Sequence, residues 1–209
     1  MRIDDIMNAA SVIPVLEVAD FAQAAPLAKA LAAGGLRVVE LTLRTDCALD
    51  ALKAMQDAAP ELVVGMGTVR TDDDVRQSVK AGAAFLVSPG ASRSLLTAIA
   101  DSGAPALPGV ATASEAITAV EAGFSALKFF PAEPAGGVAY LKSLAGPLPE
   151  IVFCPTGGIS AEKAPDYLAL ANVACVGGSW IATKAQISGG AWTAIQENAR
   201  RAAGLKTAR

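Results

Sequence analysis

Two charged residues stand inside apolar, strand-like runs, and together they could do carbonyl chemistry. In "VVELTLRT", Val38 to Thr45, Val, Leu and Thr suit a pleated, packed surface. Successive strand side chains point to opposite faces. Val39, Leu41, Leu43 and Thr45 therefore share one face, and Glu40, Thr42 and Arg44 the other. In "SALKFFPAEP", Ser125 to Pro134, the same alternation separates Leu127 and Phe129 from Lys128 and Phe130. An isolated buried ammonium is expensive. A lysine in such a run must pair with an acid or be held partly as the free amine. Desolvated amines are the ones that attack carbonyls to form Schiff bases. A structural ion pair with Glu40 is the competing reading, and from the lysine alone it is the commoner arrangement.

A third feature is a pair of glycine-rich turns, "PTGGIS" from Pro155 to Ser160 and "VGGSW" from Val176 to Trp180. Glycines let backbone N–H groups approach a phosphate closely, and a following helix N-terminus adds positive potential. "DDD", Asp72 to Asp74, is read as dipole compensation in the first turn of a helix rather than as a cation site. There is no histidine among the 209 residues, which excludes every His-dependent triad. The three cysteines, Cys47, Cys154 and Cys175, are an odd number in apolar contexts. They read as reduced packing residues of a cytosolic chain. No metal site is expected.

The elements that must position these groups alternate. Apolar β-like runs begin near Val12, Val38, Leu62, Ala84, Pro105, Ala126, Ile151 and Val173, eight in all. Helix-like stretches lie between them. Asp20, Asp46, Thr71 and Ser160 are candidate starts, Thr112 with Glu115 matches a capping box, and Gly34 and Gly35 a stop. Pro165 should bend or delay its helix, and "AWTAIQENARRAAG" makes a last one. No linker or low-complexity segment interrupts the series. Eight β/α units in a chain of this length predict a single α/β domain over 1–209, a (β/α)₈ barrel of the TIM type with a short N-terminal helix. A doubly wound open sheet is the alternative.

Composition narrows the partners. Apolar types are 53%, charged types 18%, and the net charge is −3. That balance gives no electrostatic reason to expect nucleic acid or an anionic membrane. No apolar run reaches the length of a membrane span. The first residues, "MRIDDIMNAA", lack the apolar core of an export signal, so a cytoplasmic protein is expected. In a barrel the loops after strands seven and eight are the usual phosphate site, and both glycine-rich turns fall there.

From Val12 to Trp180 the chain resembles the class I aldolases that cleave 2-keto-3-deoxy-6-phosphogluconate (KDPG) or 4-hydroxy-2-oxoglutarate (KHG). The resemblance rests on "VVELTLRT", "GTV", "LVSPG", "LPGVAT", "ALKFFPAE", "FCPTGGIS" and "VGGSW" in that order. It implies a (β/α)₈ homotrimer of the Entner–Doudoroff pathway that uses no metal or organic cofactor. By resemblance Lys128 is the Schiff-base lysine and Glu40 the general acid/base. Arg44 lies near the keto-acid end of the substrate, and Thr156 helps hold the pyruvyl carboxylate. Thr68, Pro89 and Phe130 line the pocket. Gly157, Gly158 and Ser179 cradle the phosphate, with Gly178 beside them. Two departures stand out: Met66 lies where a small residue is expected, so the pocket wall beside Thr68 should differ, and Glu17 is an extra acid near the mouth. Glu17 is read as a solvated or Arg-paired strand end. Two rivals keep the phosphate loops without a covalent pyruvate adduct: a phosphosugar isomerase in which Lys128 is only electrostatic, and a non-catalytic phosphosugar-binding barrel.

Overall fold

The computed structural model describes residues 1–205; the last four residues of the expected domain, 206–209, lie outside the described residues. Parallel strands alternate with helices from β1 onward. The first half runs α1 (Ile3–Asn8), β1 (Val12–Leu16), a 3₁₀ turn (Phe21–Gln23), α2 (Ala24–Ala33), β2 (Val38–Thr42), α3 (Ala48–Ala58), β3 (Val63–Gly67), α4 (Asp72–Lys80), β4 (Leu86–Val87) and α5 (Arg93–Ser102). The second half runs β5 (Ala106–Leu107), β6 (Gly109–Val110), α6 (Ala113–Glu121), β7 (Ala126–Phe129), α7 (Gly137–Leu144), β8 (Val152–Pro155), α8 (Ala164–Leu168), β9 (Val176–Gly178), α9 (Lys184–Ser188) and α10 (Trp192–Ala203). Eight β-like runs thus become nine strands among the described residues, because Pro108, which has no N–H to donate, divides the fifth run into β5 and β6.

The strands form one sheet ordered β5-β4-β3-β2-β1-β9 and another ordered β6-β7-β8. Every pairing is parallel, and single parallel bridges Phe153–Val173 and Thr156–Gly177 connect β8 with the run that contains β9. The curled parallel sheet has two apolar faces, and strand alternation separates them cleanly. Val39, Leu41, Leu127 and Phe129 pack outward with Leu27, Leu31, Leu52 and Met55 of the surrounding helices. Val38, Phe85, Leu107, Ala126, Cys154 and Cys175 face the other way. The short helix α1 inserts Ile6 and Met7 into this second cluster and plugs the end of the sheet where the strands begin. The far end is left to polar residues.

Side-chain caps fix several helix starts. Thr71 accepts from the Asp74 N–H and Thr112 from the Glu115 N–H, each in a full capping box, and Asp20 caps the 3₁₀ turn before α2. Asp46 does not start α3; the helix begins at Ala48 behind Cys47, with no side-chain cap. Pro165 delays α8, which spans only Ala164–Leu168. Of the "DDD" run, Asp74 bonds the Arg70 and Thr71 N–H groups, while Asp72 and Asp73 pair with Arg76. Among the described residues no group of three or more His, Cys, Asp or Glu could hold a metal ion, and no helix is long and apolar enough to cross a membrane.

Candidate active site

Lys128 on β7 and Glu40 on β2 face each other across the interior. The Nζ donates to Glu40 Oε1 at 3.0 Å and to Oε2 at 3.2 Å. Both residues are at most 5% exposed, so each offsets part of the burial cost of the other. The Lys128 ammonium also lies 5.4 Å from the centre of the Phe130 ring, a favourable cation–π distance. The room for Glu40 comes from β3. A Cβ placed on Gly67 would sit 2.1 Å from Glu40 Oε1, so no side chain fits there without moving the carboxylate.

β2 ends at Thr42, two residues short of Arg44, so Arg44 reaches the mouth through a turn rather than by strand alternation. In that turn the Arg44 N–H bonds the Thr42 carbonyl at 2.9 Å. Thr42 itself is buried and donates to the Leu16 carbonyl at 2.8 Å, which ties the ends of β1 and β2 together. Arg44 Nε donates to Thr68 Oγ1 at 3.0 Å. Thr68 has φ 61°, a conformation that costs a β-branched residue roughly 1–3 kcal/mol and tends to mark functional sites. Met66 proves not to be a pocket-wall residue: it is fully buried and belongs to the outward cluster, while Gly67 beside it faces the site. A one-residue step reverses the face.

The opposite wall is built by β8 and β9. Thr156, 6% exposed, fits because Gly177 lacks a side chain; a Cβ there would lie 2.2 Å from Thr156 Oγ1. Pro89, half-buried after β4, has its backbone against Gly109, where a Cβ would meet it at 2.3 Å. Gly157 and Gly158 adopt φ 103° and 80°, the left-handed region that glycine enters at little cost. Gly178 is buried beneath the Trp180 ring and Ser179 is exposed beside it. The predicted site residues thus line the ends of the strands toward their C-termini.

Sequence reading missed the network that holds the glycine turn. Ala132 N–H bonds the Thr156 carbonyl at 2.7 Å and Glu133 N–H the Gly157 carbonyl at 3.0 Å. The Glu133 carboxylate accepts from both Lys163 and Tyr167. The hydrogen bond from Lys163, then that from Tyr167, holds the Glu133 carboxyl below its ordinary range. Burial first, and the bond to Glu133 second, raise the Tyr167 hydroxyl well above its ordinary value. The "AE" of "FFPAE" was the available signal, an acid in the loop that follows β7.

Glu17 lies at the end of β1, with its carboxylate 2.6 Å from Lys184 Nζ and 3.8 Å from an Arg44 nitrogen. It is therefore paired at a strand end, with two cations rather than one. A cavity of about 270 Å³ opens here, lined by Glu17, Thr42, Arg44, Ser179, Thr183 and Lys184 among others.

This arrangement has close counterparts. A KDPG aldolase structure from Legionella pneumophila, with pyruvate captured at low pH as a covalent carbinolamine intermediate, superposes with a TM-score of 0.95 at 42% identity, over 98% of this chain and 99% of that one. The KHG/KDPG aldolase of Escherichia coli K12 is 44% identical over 199 residues, 95% of this chain and 93% of its own. The 2-dehydro-3-deoxy-phosphogluconate aldolase of Pseudomonas aeruginosa is 45% identical over 201 residues, 96% of this chain and 91% of its own. The family pattern described as "KDPG and KHG aldolase" matches residues 3–198, and the chain belongs to that aldolase family.

Proposed function

We propose that this protein cleaves KDPG to pyruvate and glyceraldehyde 3-phosphate through a Schiff base on Lys128. The observation that carries the reading is the buried Lys128–Glu40 pair, with Nζ within 3.0 and 3.2 Å of the two carboxylate oxygens. Proton transfer along that contact frees the amine and leaves Glu40 as the acid. The amine attacks C2 of the keto acid. Glu40 returns its proton to the carbinolamine hydroxyl, which leaves as water, and an iminium forms. The Glu40 carboxylate then takes the C4 hydroxyl proton as the C3–C4 bond breaks, and the iminium accepts the electron pair. Protonation of the enamine at C3 and hydrolysis release pyruvate and restore the amine. Direct reach is the first requirement of such a shuttle, and the pair meets it.

Arg44 and Thr156 hold the keto-acid carboxylate in this reading, and Thr68, Pro89 and Phe130 shape the pocket. The Gly157–Gly158 turn, with Gly178 and Ser179, receives the phosphate. Parallel pairing of β1 with β9, the Thr156–Gly177 bridge, and β5 with β6 as one strand interrupted at Pro108 support closure into a (β/α)₈ barrel. Cleavage of KHG to pyruvate and glyoxylate, assembly as a homotrimer and a cytoplasmic location belong to the same proposal. No metal or organic cofactor has a part in it, because the lysine supplies the electron sink.

Borohydride reduction in the presence of pyruvate, followed by intact mass and peptide mapping, tests the reading. The expected result is one pyruvyl adduct, on Lys128, and none in a folded Lys128→Ala variant. An unmodified chain under conditions that trap a control aldolase would remove the Schiff base and leave an isomerase or a binding barrel.

A further inference from the structure

Resting on the aldolase reading above, we infer that Glu17 is a specificity-determining residue that selects the long, hydroxyl-bearing phosphorylated keto acid over a short dicarboxylate. Its position follows from the sheet. β1 pairs with β2 on one side and with β9 on the other. Glu17, one residue past the end of β1, therefore stands between Arg44, which follows β2, and Ser179, which follows β9. Arg44 serves the carboxylate end of the substrate and Ser179 the phosphate end. Glu17 consequently faces the middle of an extended substrate, and all three residues line the same cavity of about 270 Å³.

An acid in that position needs a reason, because it opposes a substrate that carries negative charge at both ends. Two cations offset part of the cost. Lys184 Nζ lies 2.6 Å from one Glu17 oxygen and an Arg44 nitrogen 3.8 Å from the other, while the Glu17 side chain is only 19% exposed. The carboxylate is thus held in place and aimed along the cavity wall. The two substrates of the family differ at this point. KDPG carries a neutral hydroxyl at C5, which can donate a hydrogen bond to a carboxylate. KHG ends at C5 in a carboxylate of its own, which the Glu17 charge repels. Like charges brought together, and an acceptor matched to one substrate only, are two means by which a site rejects a competitor.

The test compares kcat/KM for KDPG and KHG in wild type, Glu17→Gln and Glu17→Val. Glu17→Gln removes the charge and keeps an acceptor. KHG cleavage should rise about fivefold to tenfold, the scale of one partly screened like-charge contact, while KDPG efficiency falls by less than it does in Glu17→Val. Glu17→Val also removes the acceptor, so KDPG efficiency should fall about tenfold and the ratio of the two substrates should collapse further. Lys184→Ala leaves the carboxylate with less compensation and should shift the ratio toward KDPG. A substrate ratio unchanged within twofold in both Glu17 variants, or an equal loss on both substrates, would overturn the assignment and leave Glu17 as a strut for Arg44. Pyruvate trapping on wild-type Lys128 separates the two proposals. Absence of the adduct sinks the aldolase reading, whereas an adduct with an unchanged ratio sinks only the role of Glu17.

Discussion

Gly67→Ala should disable the enzyme without replacing a reacting group. The added Cβ would lie 2.1 Å from Glu40 Oε1, 2.6 Å from Cγ and 2.7 Å from Cδ. Ordinary contact begins at 3.4 Å, so the Glu40 side chain must retreat by more than about 1 Å. It cannot do so freely, because its two oxygens are held at 3.0 and 3.2 Å from Lys128 and the surroundings are buried. A misplacement of about 1 Å costs roughly a hundredfold in rate, and forcing a methyl into a packed interior costs about 1–3 kcal/mol of stability. Turnover would be read as pyruvate release coupled to NADH oxidation, and stability by urea unfolding. Gly65→Ala is the control. Its Cβ meets the Phe85 ring first, at 2.4 Å, so the nearest clash is with a packing side chain, and stability should fall more than turnover. A folded Gly67→Ala variant with wild-type turnover would refute the reasoning, since the position of Glu40 would then not matter to the rate.

Glu40→Gln keeps the shape of the side chain but cannot shuttle the proton, so turnover should fall by roughly a hundredfold or more; unchanged turnover would place the shuttle elsewhere. Ser179→Ala removes a donor to a charged group, worth roughly 1.5–3 kcal/mol, so KDPG efficiency should fall about tenfold to a hundredfold while KHG changes less. An equal loss on both substrates would mean that Ser179 shapes the strand end instead of reading phosphate. Glu133 has a carboxyl held below its ordinary value of 4.5, by Lys163 first and Tyr167 second. The stability it contributes is therefore present above about pH 4.5 and is lost as pH falls through the lower folded-state value. Urea unfolding as a function of pH should show the gap between wild type and Glu133→Gln closing on acidification below that point; parallel curves would rule the network out as a source of acid sensitivity.

Much of the site was legible because strand alternation is a local property. The inward placement of Glu40 and Lys128 follows from their own runs, and the capping box of Thr112 with Glu115 follows from residue types three apart. Other features depended on partners distant in sequence. Arg44 belongs to the turn after β2, and its direction is set by Thr68, twenty-four residues later, which no period within "VVELTLRT" encodes. Met66 was misplaced by comparison with an expected small residue, although the alternation in "VVGMG" already sends it outward when Gly67 faces Glu40. The division of the fifth strand was signalled by Pro108. The start of α3 was not, because Asp46 offers cap chemistry that the chain does not use. The Glu133–Lys163–Tyr167 network joins the loop after β7 to α8, a contact of some thirty residues' separation.

The glycines of the inward faces record where large side chains had to go. A curled parallel sheet brings the inward residues of neighbouring strands toward a common centre, so a long side chain on one strand needs an absence on the next. Gly67 on β3 makes that absence for Glu40 on β2, and Gly65 makes it for Phe85, just before β4. Gly177 on β9 makes it for Thr156, and Gly109 on β6 for the backbone at Ser88 and Pro89. Each of these four positions would put a Cβ within 2.4 Å of its neighbour, a closeness that relaxation of one flexible chain end does not relieve. Three of the four opposing groups are proposed site residues or their immediate supports, while Phe85 packs the floor with α1. Glycine within a strand ordinarily weakens it. In "VVGMG" and "VGG" that loss stabilises nothing locally, and it is explained only by the groups standing opposite. The charged pair and the glycines around it are therefore one feature of the sequence. The spacing of glycines at alternate positions beside a buried lysine and acid marks an interior shaped to hold that pair, where an interior filled only for packing would have placed branched side chains.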